Sequence, residues 1–298
     1  MAKTRNITKR MRAVRNIRTV TKAMQTVASA RFKFANDRIS SFSPYGNELM
    51  AMVGDLVARI EAQQLDHPLL HEPKGVQRDI LLVLTSSRGL CGSYNVAVLN
   101  AALHRLGQLR TADYEVELHV VGRRGVRYLE FRGLKIDRTY PELSDLPGYD
   151  AVASLADEMM GDLRGGRISG VEVAYTQFVS AGRQRAVIAP LLPLSDLPAA
   201  SREEIEAELT VPYDFYPAAD TILRRLLPNT VRLKLYQCFL DAAASEQFMR
   251  RAAMQSATDN ADDMLQTLRR LINRQRQMQI TTELSEIMGG RAGLEQGD

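Results

Sequence analysis

The stretch from Asn229 to Met288 runs for 60 residues without a glycine or a proline, and this constrains the chain more than any other feature. Pro228 precedes it and Gly289 follows it, both residue types that interrupt helices. Within it Ala257, Ala261, Met264, Leu268, Leu271, Gln275, Met278 and Thr282 recur in steps of four and three, the period of a coiled-coil seam. At 1.5 Å per residue an unbroken helix of this length reaches roughly 90 Å. A compact domain made from the preceding residues is on the order of 40 Å across. Such a helix projects, and long helices in water are held by burial of one face rather than by propensity. It needs a partner along its length.

The other end of the chain offers one. Residues 1–43 also lack glycine and proline, and Ile7, Met11, Val14, Ile17, Val20, Met24, Val27 and Phe34 recur at threes and fours. Two ends with the same period, separated by a segment of different pattern, predict a two-stranded antiparallel coiled coil that carries that segment. The first helix is expected to pause at Ser40–Pro44 and to resume through Leu49, Val53, Leu56 and Ile60, with a bend at Pro44 or Gly54. His67 to Gly75 then reads as a linker.

From Ile80 the pattern changes. Ile80–Leu84 is a short apolar run of the buried-strand type, Ser86–Ser93 a turn, and Val96, Leu99, Leu103 and Leu106 follow at helical spacing. Glu115–Val121 alternates as a second strand, and Val126–Phe131 is a short helix ended by Gly133. Ala151–Leu163 is a helix, and Gly170–Val179 and Ala186–Leu194 are strands joined through Gly182. Strands alternating with helices predict a small, mainly parallel Rossmann-like α/β domain. The expected fold is therefore α/β: a long antiparallel two-helix coiled coil from the N- and C-termini plus that domain. Expected boundaries are 1–62 for the first arm, 78–195 for the domain and 213–288 for the second arm, with 193–217 as the return connection.

Composition narrows the function classes. The longest purely apolar run, Ile80–Leu84, is far short of the ~20 residues of a membrane helix. Two cysteines, Cys91 and Cys238, make no disulfide framework and read as reduced packing residues of a cytoplasmic protein. Net charge is +4, yet residues 1–38 hold eleven Lys or Arg against the single acid Asp37, a local +10. That helix seeks an acidic surface. An Arg-rich amphipathic start also suits an organelle transit peptide, but the heptads run on well past the length of one, so mature structure is expected.

Catalytic patterns are sparse. Gly89 and Gly92, after the first strand, do not make G-x-G-x-x-G, and G-x-x-x-x-G-K-[ST] occurs nowhere, so the glycines read as a tight turn and no cofactor is expected. His67 and His71 stand at i, i+4, but Pro68 and Pro73 spoil the helix a metal pair needs, which favours a solvated linker. No nucleophile signature accompanies His104 or His119. A basic helix also suits nucleic acid, and a basic coiled-coil nucleic-acid-binding protein is the alternative. Few aromatics on the arm, only Phe32 and Phe34, favour a protein partner with acidic loops.

Three ordered segments resemble the gamma subunit of F-type ATP synthases. Ile17–Arg31 is similar to the T-K-A-M-x-x-V-A-A-x-[KR] segment, through Thr21, Lys22, Ala23, Met24, Val27 and Ala28. Ser86–Asn95 is similar to S-D-[RK]-G-L-C-G-x-[FYL]-N. Ala244-Ser245-Glu246, Met254, Ala257–Ala261 and Asn273–Ile287 match A-S-E, A-M, A-T-x-N-A and N-x-x-R-Q-x-x-I-T-x-E-L-x-E-I. The resemblance implies a non-catalytic rotor shaft turning inside a hexamer of alpha and beta subunits. It implies further partners in the epsilon subunit and the membrane c-ring, with neither nucleic acid nor a small-molecule substrate, and a peripheral position on the cytoplasmic face of a bacterial inner membrane. By motif, Arg276, Gln277 and Glu283 fall where the shaft meets loops of the beta subunits. Lys22 and Met24 fall where the first helix passes an acidic lever of a beta subunit, and Arg88, Gly89, Leu90, Cys91 and Gly92 belong to a foot near the ring and epsilon. Ser87 stands where Asp is usual and Gln25-Thr26 where Glu-Met is common, so contacts at those positions are expected to differ.

Overall fold

The computed structural model describes residues 2–59, 67–73, 75–143, 145–180, 182–194 and 219–295. Helix α1 spans Ala2–Arg59 and is followed by β1 (Arg78–Leu84), α2 (Tyr94–Thr111), β2 (Glu115–Val121), α3 (Arg123–Phe131) and β3 (Arg138–Thr139). A 3-10 turn at Pro141–Leu143 leads to α4 (Tyr149–Arg164), β4 (Gly170–Ser180), β5 (Arg183–Leu192) and finally α5 (Ala219–Glu295). The chain divides into two compact units, Met1–Ala28 with Arg251–Asp298, and Ser29–Arg250.

In the unit Ser29–Arg250 the strands lie in the order β3-β2-β1-β4-β5, parallel except for the antiparallel β4–β5 hairpin. The apolar run of β1 is buried on both faces because successive side chains point to opposite sides of a strand. Ile80, Leu82 and Leu84 join Val171, Val173 and Tyr175 of β4 in a core shared with α4 and α5. Leu81 and Val83 join a second core with Val98, Leu99, Ala102 and Leu106 of α2 and Leu129 of α3. Helices thus cover both sides of the sheet, as parallel sheets require. Between β2 and α3, Gly122 has φ +91° and a Cβ there would stand 2.1 Å from the Thr85 carbonyl oxygen just past β1, so the start of α3 approaches the end of β1 only because this residue is glycine.

Three sequence expectations are corrected here. Helix α1 does not pause at Ser40–Pro44 but runs through with Pro44 inside it. Pro44 stands on the exposed side of the helix, where a missing backbone hydrogen bond is least costly. Ala35, Leu49 and Val53 are buried on either side of it, and Phe42 meets Tyr236 edge to face at 5.0 Å, so packing spans the break. Helix α5 begins at Ala219, not after Pro228, because Leu223, Leu227, Val231 and Leu235 form one buried stripe across the proline, and it continues past Gly289 to Glu295. The segment at His67–Leu70 is not a solvated linker. His67 is buried with Nδ1 accepting from the Leu69 N–H at 3.3 Å, Leu69 is wholly buried, and the Leu69 carbonyl accepts from Leu194 N–H at 2.8 Å. Most of the return connection expected at 193–217 lies outside the described residues.

In the unit Met1–Ala28 with Arg251–Asp298 the two helices pair antiparallel. Arg18 Nε meets Asp262 Oδ1 at 2.5 Å, the hydroxyls of Thr21 and Thr258 are 2.8 Å apart, and the Gln25 Nε2 donates to Gln255 Oε1. As the number rises by three and then four along α1 it falls by four and then three along α5, which fixes direction and register. Toward the open end Ile7, Met11 and Val14 pack on Ala261, Leu265 and Leu268.

Candidate functional site

The seam inside this helix pair follows the predicted apolar residues from Ile7 to Val14 and departs from them beyond. On α1 the positions that meet α5 are Ile7, Met11, Val14, Arg18, Thr21, Gln25 and Ala28, a strict alternation of four and three, with the exposed Arg18–Asp262 pair at the margin. Four of the predicted seam residues, Ile17, Val20, Val27 and Phe34, are each more than half exposed. On α5 Met254, Thr258, Ala261, Leu265 and Leu268 are buried, while Met264, Leu271 and Met278 are 42%, 45% and 55% exposed. Ile7, Met11 and Val14 on α1 and Ala261 and Leu268 on α5 belong to both patterns, while Ile17, Val20, Met24 and Val27, and Ala257 and Met264, give way to the next residue along. Two heptads overlap in each sequence, and hydrogen bonding selects the more polar one. Thr21 and Thr258 satisfy each other, and Thr258 Oγ1 also lies 2.8 Å from the Met254 carbonyl oxygen. Gln25 Nε2 donates to Gln255 Oε1 and Gln255 Nε2 donates to Asp259 Oδ1 at 2.8 Å, and the two threonine hydroxyls are buried at little cost. The consequence is a helix pair with polar layers inside and an apolar stripe on each outer surface.

The residues assigned by motif stand on this outer surface. Lys22, Arg276, Gln277 and Glu283 are exposed and Met24 is half-buried. Arg276 and Glu283 are seven apart and share a face of α5. In the antiparallel register Met24 lies opposite residues near Gln255, some twenty residues from Arg276. At 1.5 Å per residue this is about 30 Å along the axis, so the structure makes two patches rather than one.

In the other unit, Ser86–Asn95 folds as the expected turn. Ser86 N–H donates to Asn95 Oδ1 at 2.9 Å and Asn95 Nδ2 reaches Cys91 Sγ at 3.2 Å, which buries Cys91 and leaves Leu90, with φ +64°, exposed beside Arg88 and Gly92. This turn follows β1 at the point where the strand order reverses, the crevice in which doubly wound folds bind nucleotides. Helix α5 fills it. Arg250 donates through Nη2 to the Arg88 carbonyl at 3.2 Å and through Nε to the Gly89 carbonyl at 3.4 Å, and Ser245 Oγ donates to the Thr176 carbonyl of β4 at 3.1 Å. Arg250 also pairs with Glu246 at 2.6 Å with both side chains buried. Burial pushes the Glu246 carboxyl up and Arg250 pulls it back. Sequence reasoning quoted Glu246 only within a motif and missed Arg250. The available signal was Ser245-Glu246-Gln247 and Arg250 following a stretch from Leu233 to Ala244 whose buried side is apolar but for Asp241.

Among the described residues no group of three or more His, Cys, Asp or Glu stands close enough to hold a metal, and no helix is long and apolar enough to cross a membrane. His119 is buried, its Nδ1 3.1 Å from the Tyr140 hydroxyl, and burial pushes its pKa down.

Comparison with known proteins accounts for this arrangement. The family model described as ATP synthase matches residues 3–294. The ATP synthase gamma chain of Rhodopirellula baltica is 39% identical over 99% of this chain and 100% of its own, and that of Saccharopolyspora erythraea is 38% identical over 99% and 98%. In fold the chain matches a component of the Euglena gracilis mitochondrial ATP synthase with a TM-score of 0.67 at 14% identity, covering 99% of this chain and 96% of the other. Full-length coverage at this identity, together with a Rossmann-like domain whose crevice is closed by a terminal helix, places the chain in the ATP synthase gamma chain family.

Proposed function

We infer that the chain is the non-catalytic rotor shaft of an F-type ATP synthase, coupling ion flow through a membrane c-ring to ATP synthesis or hydrolysis on an alpha/beta hexamer. The observation that carries this reading is the outward apolar surface. Ile17, Val20 and Val27 on α1 and Met264, Leu271 and Met278 on α5 are exposed while hydrogen-bonded polar layers occupy the seam. Contiguous exposed apolar surface on a helix pair calls for an enclosing partner. A ring around the pair supplies one, and the basic first helix suits acidic loops on that ring.

In this reading residues 1–62 and 213–288 form the shaft and 78–195 the foot. Lys22 and Met24 meet a beta-subunit lever, while Arg276, Gln277 and Glu283 meet beta-subunit loops about 30 Å further along. Arg88, Gly89, Leu90, Cys91 and Gly92 belong to the foot near the c-ring and the epsilon subunit, with Arg88, Leu90 and Gly92 as its exposed residues. The protein then sits peripherally on the cytoplasmic face of a bacterial inner membrane. Rotation presents a different face of an asymmetric pair to each site, and each contact shifts that site's population of states. The test replaces Met24, Arg276 and Gln277 together by alanine in an assembled complex. Ion-driven ATP synthesis is expected to fall at least about tenfold, the loss of roughly 1.4 kcal/mol of coupling; unchanged synthesis overturns the reading.

A further inference from the structure

Helix α3 turns a basic face to water. At 3.6 residues per turn Arg123, Arg127 and Phe131 form one ridge at steps of four, while Gly125 and Leu129 on the far side are buried. Phe131 is 89% exposed, more than any other large apolar side chain among the described residues. Residues 123–135 hold five Arg or Lys against the single acid Glu130, a local +4. Arg132 stands over the Tyr128 ring at 5.5 Å and Lys135 pairs with Asp137 at 2.7 Å, whereas neither Arg123 nor Arg127 forms an ion pair among the described residues. Beside the ridge opens a cleft of about 270 Å³, whose lining includes Arg123, Arg127, Glu130 and Thr139.

Uncompensated cations around a protruding ring select the occupant. The cations call for an anionic surface. A protein partner would bury about 800 Å² on each side around an apolar core, and here one ring stands alone among charges. The cleft admits a phosphate and its glycerol but no length of polypeptide. A phospholipid surface asks for less. In the headgroup layer an aromatic ring anchors at the boundary with the acyl chains while long cationic side chains reach the phosphates beside it, and anionic lipid attracts each basic residue close to the surface. Each contact is weak, so binding is reversible, salt-dependent and confined to anionic membranes. We propose that the Arg123–Arg127–Phe131 ridge of α3 docks on an anionic phospholipid surface, Phe131 entering the headgroup layer and the two arginines meeting lipid phosphates. The proposal rests on α3 itself and stands apart from the shaft reading.

The chain contains no tryptophan, so Phe131→Trp puts a single fluorescent reporter on the ridge, and Val179→Trp puts one at an exposed position of β4. Each full-length variant is mixed with vesicles of phosphatidylcholine alone, or of phosphatidylcholine with about one third phosphatidylglycerol, both carrying brominated acyl chains that quench a ring entering the bilayer. The Phe131→Trp reporter is expected to shift to the blue and be quenched on the anionic vesicles and not on the neutral ones, while the Val179→Trp reporter stays unquenched. Adding Arg123→Gln and Arg127→Gln is expected to weaken the affinity for anionic vesicles at least about tenfold. Arg12→Gln with Arg15→Gln removes the same charge from exposed positions of α1 and is expected to leave the quenching in place. Vesicle binding that leaves the Phe131→Trp reporter unquenched puts the membrane contact elsewhere and overturns the proposal. No binding, or quenching indifferent to the two α3 arginines, overturns it as well. A blue shift on adding purified alpha/beta hexamer without lipid gives the ridge to a protein partner and also overturns it.

Discussion

Asp241 shows how a single side chain sets a pH dependence for the whole fold. It is buried on α5 near Cys238, with Gln237 Nε2 donating to it at 3.1 Å, and burial raises its carboxyl from 3.8 to about 7. The neighbouring Cys238 thiol is pushed up to about 12, chiefly by burial, so it remains a protonated packing group at neutral pH. Because the folded state holds the Asp241 proton more tightly than the unfolded chain does, the group costs nothing while both forms are protonated. Stability falls as pH rises from 3.8 to about 7 and levels off above that. Asp241→Asn keeps the acceptor for Gln237 and removes the titration. It is expected to melt higher than the parent at about pH 8, by at most about 4 kcal/mol, with the difference vanishing toward about pH 4. Thermal melts at the two pH values check this, and a parent that gains stability between them contradicts it.

At the scale of elements, the position of α1 and α5 was legible and their facing was not. Both helices lack internal breakers over the stretches that mark them, and strand β2 falls at Glu115–Val121 as its alternation predicts. Facing was misjudged because apolarity alone was taken to point inward. Met264, Leu265, Leu268, Leu271 and Ile272 offer two overlapping stripes, and only the partner positions Thr21, Gln25 and Arg18 decide between them. A pattern read from one helix cannot contain that choice. The same holds for Pro44 and Pro228, where the buried stripes of Leu49 and Val53, and of Leu223, Leu227 and Val231, come from packing on other elements. The register makes a direct prediction. Leu265→Ala opens a cavity in the seam and is expected to cost about 2–4 kcal/mol in the isolated chain, whereas Leu271→Ala is expected to cost less than about 0.5. In the assembled complex the order of effects on binding reverses, since Leu271 is the residue left for a partner. Denaturant melts and affinity measurements on the two variants separate the registers, and a larger loss for Leu271→Ala in the isolated chain would return the seam to its apolar form.

For the whole molecule, charge and apolar surface divide the work of association. The first 38 residues carry +10, so the remaining 260 carry −6 against the total of +4, and on the proposed function this concentrates attraction for an acidic partner on the basic helix. Most of that charge is on exposed side chains such as Arg12, Arg15 and Lys22, where attraction acts over a Debye length of about 10 Å at 0.1 M salt and about 3 Å at 1 M. Exposed charge accelerates encounter more than it holds a complex together, while the outward stripe at Ile17, Val20, Leu271 and Met278 acts after contact and is indifferent to salt. Association with purified alpha/beta hexamer is therefore expected to slow about tenfold between roughly 0.05 and 0.5 M sodium chloride, with dissociation changing little. Stopped-flow mixing measures the first rate and dilution the second. If salt instead speeds dissociation and leaves encounter alone, the basic helix is bonded within the interface, and its charge serves holding rather than steering.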